Sequence, residues 1–223
     1  MSLVVEGRSL WIAQTNCYVI ARDRGGPGIV VDAPPDVEQM GELLADLDIT
    51  PVALLVTHGH IDHAGGSGGF AARNPGVITY LHPDDEFLYR DPATMLRRLM
   101  GTILNAEEIN REFGAPAQLA ELSHDQHLEI AGIDIQVLHT PGHTPGHCCF
   151  LIPSEGLLFS GDQLFAGSVG RTDLPGGNTE LLFESMRASI LPLDDDIEVL
   201  PGHGPATTIG YERHTNPFLQ ELS

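Results

Sequence analysis

VALLVTHGHIDH, residues 52–63, sets four potential metal ligands at the end of an apolar run: His58, His60, Asp62 and His63 fall within six residues. The run Val52–Val56 reads as a buried strand, and Gly59 with Gly65-Gly66 argues for a loop or a broken helix start after it. A zinc-protease helix places its histidines four apart around a Glu, a pattern this stretch does not follow. In an extended segment His58 and His60, two apart, point the same way. They are expected to share one ion while Asp62 and His63 turn toward another.

Three further segments repeat the pattern of an apolar strand that ends on a ligand type. IDIQVLHTPGH leads to His143, GLLFSGD to Asp162 and IEVLPGH to His203. Sites in sheet-based folds are built from loops at strand ends on a rigid scaffold, so four strand ends are expected to converge. An isolated His-X-His, or either Pro-Gly-His taken alone, is weak and reads more readily as a turn. Together they give five His and two Asp, too many for one tetrahedral ion and about right for two. The expected division is His58, His60 and His143 on one ion, Asp62, His63 and His203 on the other, with Asp162 bridging. Imidazole with carboxylate suits zinc, the first expectation, and equally iron or manganese.

Outward from these segments, short apolar runs bounded by turn residues dominate, among them NCYVIA, GIVVDA, VITYL and HCCFLI. FLIPSEGLLFS reads as two strands joined by a Pro-Ser-Glu-Gly turn, and LEIAGIDIQVL as two joined across Ala131 and Gly132. Val37, Met40, Leu43, Leu44 and Leu47 recur at helical spacing, and Asn178 is placed to cap a helix carrying Leu181, Leu182, Met186 and Ile190. Residues 84–127 carry no strand signal and are broken by Pro92, Gly101 and Gly114, which predicts a helical insertion beside the site. No repeat or linker divides residues 1–223, so a single domain is expected.

The formal charge of −20 comes from 31 acidic residues against 11 basic ones, every one of them Arg. Such a field repels nucleic-acid backbones and anionic membrane surfaces, so neither is an expected partner. Three cysteines, Cys17, Cys148 and Cys149, make no disulfide framework, which points to a reducing compartment. With no signal-like N-terminus and no long apolar span, a cytoplasmic location is the expectation. Cys148 and Cys149 read as core residues, and His82, His139 and His147 as makers of structural hydrogen bonds. His124, His127 and His214 read as solvated. Asp32, after GIVV, is either a strand-end cap or an acceptor for a ligand histidine.

The series THGHIDH, His143, Asp162 and His203 resembles, in order, the motif series of the metallo-β-lactamase superfamily. That resemblance implies an α/β fold, a four-layer αββα sandwich with metals at one edge. Within the superfamily the chain looks like glyoxalase II-type (hydroxyacylglutathione hydrolase-like) proteins, from TNCYVI through GDQLFAGSVGRTDLPGG to LPGHGPATTIGYERHTNPFL. The likeness implies a binuclear thioester hydrolase in which Asp62 and Asp162 are catalytic and a water is activated between two divalent ions. It also implies that Arg171, nine positions after Asp162, contacts the substrate thiol, against a structural ion pair with Asp173. The chain departs from glyoxalase II proper, whose C-terminal helical domain supplies basic residues to glutathione. Here residues 204–223 follow the last ligand and no Lys occurs, so no separate C-terminal helical domain is expected. The GRTD segment also resembles persulfide dioxygenases, in which His58, His143 and Asp162 would hold a single iron; a superfamily lactonase is a further alternative.

Overall fold

The computed structural model describes residues 3–91, 113, 119–220 and 222. The first sheet opens with an antiparallel hairpin, β1 (Val4–Leu10) and β2 (Thr15–Ala21), in register from Val4↔Ala21 to Leu10↔Thr15. β3 (Pro27–Val31) continues antiparallel, and β4 (Thr50–Leu55), β5 (Ile78–Leu81) and β6 (Leu119–Glu121) follow in parallel. The strand order is β1-β2-β3-β4-β5-β6. Between β3 and β4 runs α1 (Val37–Leu47), started by Asp36, whose carboxylate accepts from the Gln39 N–H, and stopped at Asp48 in the left-handed region.

The second sheet contains β7 (His127–Ile130), β8 (Ile133–His139), β9 (Cys148–Ile152), β10 (Leu157–Gly161), β13 (Glu198–Pro201) and β14 (Thr207–Thr208), in the order β14-β13-β10-β9-β8-β7. Its β7–β8 hairpin turns at Ala131 and Gly132, both at positive φ, as a two-residue turn of that hand requires. Between β10 and β13 lie a small ribbon, β11 (Leu164–Phe165) and β12 (Ser168–Val169), and the helix Thr179–Ser185. Asn178 caps that helix by accepting from the Leu181 N–H.

Alternation along the strands sorts the core into three layers. Tyr18, Ile20, Val31 and Leu55 of the first sheet meet Val137, Phe150 and Phe159 of the second in the central layer. The opposite face of the first sheet, with Cys17, Val19 and Leu54, packs on Met40, Leu43 and Leu47 of α1. The outer face of the second, with Cys149, Leu158 and Val199, packs on Met186, Ile190 and Ile209. The result is the layer sequence helix, sheet, sheet, helix. Strands such as β2 are covered on both faces, which is why they read as continuous apolar runs.

One expectation needs correction. Within the predicted helical insertion over 84–127, helix occurs at Pro83–Asp85 and Glu86–Arg90, but Leu119–Glu121 is strand β6 and His127 opens β7. β6 is three residues long and its residues are no more than half-buried, so it offers too little alternation to be read as a strand. Residues 92–112 and 114–118 of that prediction lie outside the described residues. Among the described residues, no helix is long and apolar enough to cross a membrane.

Candidate metal centre

The four predicted loops meet at one edge of the sandwich. β4 ends at Leu55, and the segment that follows carries His58 and His60 before the short helix α2 (Ile61–Ala64), which holds Asp62 and His63. β8, β10 and β13 end just before His143, Asp162 and His203. Hydrogen bonds stitch these ends together: Cys148 N–H donates to Thr57 O, Gly202 N–H to Gly161 O, and Asn16 N–H to Gly202 O. His58, His60, His63 and His143 are all buried, and Asp162 is 8% exposed.

Two groups of donors result. His58 Nε2, His60 Nδ1 and His143 Nε2 lie 3.0, 2.9 and 3.2 Å apart. His63 Nε2 is 3.2 Å from His203 Nε2 and 3.5 Å from Asp62 Oδ2, which is itself 3.3 Å from His203 Nε2. Asp162 stands between the groups, Oδ2 3.4 Å from His143 Nε2 and Oδ1 3.3 Å from His63 Nε2. A tetrahedral ion with ligand bonds of about 2.0–2.1 Å sets its ligand atoms about 3.3–3.4 Å apart, close to these separations. Asp162 Oδ1 is buried with no hydrogen-bond partner, and a cation would satisfy it.

The tautomers follow from the outer partners. His63 Nδ1 lies 2.7 Å from the Asp32 carboxylate and His143 Nδ1 2.7 Å from the Arg171 carbonyl; both partners only accept, so each Nδ1 carries the proton. Thr57 gives its hydroxyl proton to Asp32 and therefore accepts from His58 Nδ1 at 3.0 Å. In all three rings the Nε2 lone pair is left facing the centre. His147 supports from behind: its Nε2 accepts from the Asp162 N–H at 3.0 Å and its Nδ1 donates to Thr140 Oγ1.

Electrostatics at the centre favour a cation. Burial, reinforced by neighbouring histidines, pushes His58 well below its ordinary range and His60 down to about 3, which keeps both neutral. Burial is the largest influence on Asp62 and Asp162 and acts upward, yet the surrounding histidines, His63 foremost with His203, together outweigh it: Asp62 is held at about 2 and Asp162 well below the usual carboxylate range. Burial opposes charge on His63, but Asp162, Asp32 and Asp62 together push it well up. Three carboxylates around one imidazole call for positive charge, which a proton or a metal ion can supply.

A cavity of about 590 Å³ opens over the centre. The β1–β2 turn contributes Trp11, Ile12 and Ala13, and Phe165, Val169 and Leu174 also line it. Arg171 also lines it, with Nε and Nη2 each 2.7 Å from the Asp173 carboxylate.

The model of the metallo-β-lactamase superfamily matches residues 11–203. The chain belongs to this superfamily. Members of this metallo-hydrolase superfamily are enzymes, and the fold binds divalent metals. This metallo-β-lactamase-fold chain is 35% identical to a hydroxyacylglutathione hydrolase, GloC, from Haemophilus influenzae, covering 94% of this chain and 95% of the relative. It is 32% identical to a probable metallo-hydrolase, YqgX, from Bacillus subtilis, over 94% of both. Among solved structures it resembles BLEG-1 B3 metallo-β-lactamase, with a TM-score of 0.85, 36% identity and coverage of 97% of this chain and 99% of the other. It also resembles TTHA1623 in a di-iron-bound form, with a TM-score of 0.82, 37% identity and coverage of 96% and 100%.

All seven residues singled out as ligands lie in the two donor groups or between them. Asp32 is an acceptor for a site histidine, the second of its two readings, and Cys148 and Cys149 are core residues. Asp85 escaped the sequence. Buried in the turn before the helix Glu86–Arg90, it accepts from Gly59 N–H, Thr144 Oγ1 and Gly146 N–H, and so ties the His58–His60 loop to the His143 loop. No spacing or motif marks it.

Proposed function

We propose that this chain is a binuclear metallo-hydrolase that cleaves a thioester, a reaction of the hydroxyacylglutathione type. His58, His60 and His143 would hold one divalent ion and Asp62, His63 and His203 the second, with Asp162 available to both; zinc is the first choice, iron or manganese the alternatives. The observation that carries the reading is the pair of complete donor groups joined by one buried carboxylate. The identity with GloC of Haemophilus influenzae supports the thioester.

Bound divalent ions lower the pKa of a water from about 15.7 toward about 7 and polarise a carbonyl oxygen. The chain positions the rest. Asp62 Oδ2, held by the Thr15 hydroxyl at 3.2 Å, lies at the cavity floor and orients the attacking water or takes its proton. Asp32, Thr57 and the Arg171 carbonyl keep three imidazoles turned inward, and Trp11 and Phe165 line the cavity that opens over them. A thiolate, leaving with a pKa near about 8.5, needs little help from an acid, so the site has no need of a general acid.

The test joins elemental analysis to turnover of S-lactoylglutathione and other thioesters by the protein as purified. Two ions per chain and thioester hydrolysis are expected, with His60→Ala lowering kcat/KM by about 100-fold or more while the fold survives. A fully active His60→Ala variant overturns the reading. One iron per chain with oxygen uptake replaces it by the mononuclear oxidoreductase.

A further inference from the structure

The turn between β1 and β2 carries two non-glycine residues in the left-handed region, Trp11 at φ 59° and Gln14 at φ 55°. L-residues adopt this backbone at a cost, and such strain gathers where a fold must present a side chain in one place. Here the Gln14 N–H and its side-chain amide both donate to Trp11 O, at 3.2 and 3.0 Å, and lock the turn. Its product is an apolar tip over the proposed metal centre. Trp11 packs edge-on to Phe113 with ring centroids 6.5 Å apart, and Ile12 stands 78% exposed at the cavity mouth.

The rest of the apolar lining is of the same kind: Phe165, Val169, Leu174 and Ile61. Among the described residues that line the cavity, the sole guanidinium is that of Arg171, and Asp173 occupies two of its donors. A chain of charge −20 adds a field that repels anions. Among the described lining residues a substrate arm bearing several carboxylates meets only the Asp173-paired Arg171, whereas an apolar arm removes Ile12 and its own surface from water.

We infer that the β1–β2 turn is a specificity element that receives an uncharged apolar acyl group, an aliphatic chain or aromatic ring lying among Trp11, Ile12, Phe165, Val169 and Leu174. This rests on the thioester-hydrolase reading of the same site. The acyl side is assigned because thiols that carry acyl groups in metabolism are themselves charged; such a thiol points out through the open mouth into solvent.

Trp11 is the single tryptophan of the chain, so its fluorescence reports occupancy directly. The metal-loaded protein is titrated with uncleavable S-alkyl thioethers of N-acetylcysteamine, from methyl to octyl. The expected result is a blue shift of Trp11 emission and a Kd that tightens by up to about fourfold per methylene until the cavity is filled. Ile12→Ser, at an exposed position that folding does not depend on, flattens that series. Unchanged emission, or a Kd independent of chain length, overturns the inference. In parallel, kcat/KM is compared for lactoyl, hexanoyl, octanoyl and benzoyl thioesters of one thiol. The apolar acyl groups are expected to lead, and a preference for lactoyl overturns the inference while leaving the thioesterase reading intact. Chain-length-dependent binding with no hydrolysis of any thioester supports the apolar site and removes the thioesterase reading.

Discussion

Asp32 accepts the Nδ1 proton of His63 at 2.7 Å, and the same carboxylate accepts both the N–H and the hydroxyl of Thr57. Because Thr57 in turn accepts from His58 Nδ1, one buried acid governs the orientation of a proposed ligand in each donor group. Asp32→Asn retains the shape and tolerates the φ of 60° found here, but it turns an amide donor toward either Thr57 or His63. Metal affinity is expected to fall by about 10–100-fold, read by competition with a chromophoric chelator. An unchanged affinity shows that Asp32 does not set the tautomers.

Asp85 makes a different prediction because its three partners come from both histidine-bearing loops. Burial pushes its carboxyl pKa up, yet the donors of Thr144, Gly59 and Gly146 remain on it. Asp85→Ala orphans two backbone N–H groups and a hydroxyl. The expected loss is about 2–4 kcal/mol, since each buried unsatisfied group costs about 1–3 kcal/mol. Denaturant unfolding of the metal-loaded protein measures it, and a change below about 0.5 kcal/mol contradicts the tie between the loops.

What could be read from the residues alone was local. His58 to His63 announce themselves because the donors sit side by side after one strand, and Asn178 because a cap needs only its next three residues. The turn at Ala131-Gly132 was readable for the same reason. Asp85 was not, since its partners lie 26, 59 and 61 residues away and it looks like any acid after a proline. The Arg171 carbonyl that holds His143 leaves no mark either, because every residue has one. The sandwich itself came from the resemblance. Strands covered on both faces, such as β2 and β9, lose the alternation from which a sheet's inner side is deduced.

His82 stacks on His139 with ring centroids 3.9 Å apart and an interplanar angle of 8°. Burial first, then the neighbouring His139, pushes His82 down to about 4, and Asp84 only partly offsets this. The folded pKa lies below the unfolded value near 6.5, so the unfolded chain binds more protons between pH 6.5 and 4. This contribution to stability is fully present above pH 6.5 and is lost as pH falls through that window. His82→Gln removes it, and the variant's unfolding midpoint is expected to fall less steeply than that of the parent between pH 6.5 and 4. Parallel pH profiles refute the assignment.

Gly202 precedes His203 at the end of β13, and a Cβ placed there would lie 2.5 Å from Asp162 Oδ1 and 2.6 Å from His63 Cε1. Both contacts are shorter than side-chain atoms tolerate, and both neighbours are proposed ligands packed from behind. His63 is held by Asp32, and the Asp162 N–H by His147, so neither withdraws freely. The added methyl must push the Asp162 carboxylate off the line joining the two donor groups or rotate His63 away from His203. Overpacking of this size costs about 1–3 kcal/mol, which leaves the fold standing. Gly202→Ala is therefore expected to express and fold, yet to bind fewer than two ions per chain and lose most of its hydrolytic activity. Elemental analysis beside a thermal melt separates these effects. A variant with two tightly held ions would show that the centre has more room at Gly202 than the short contacts imply.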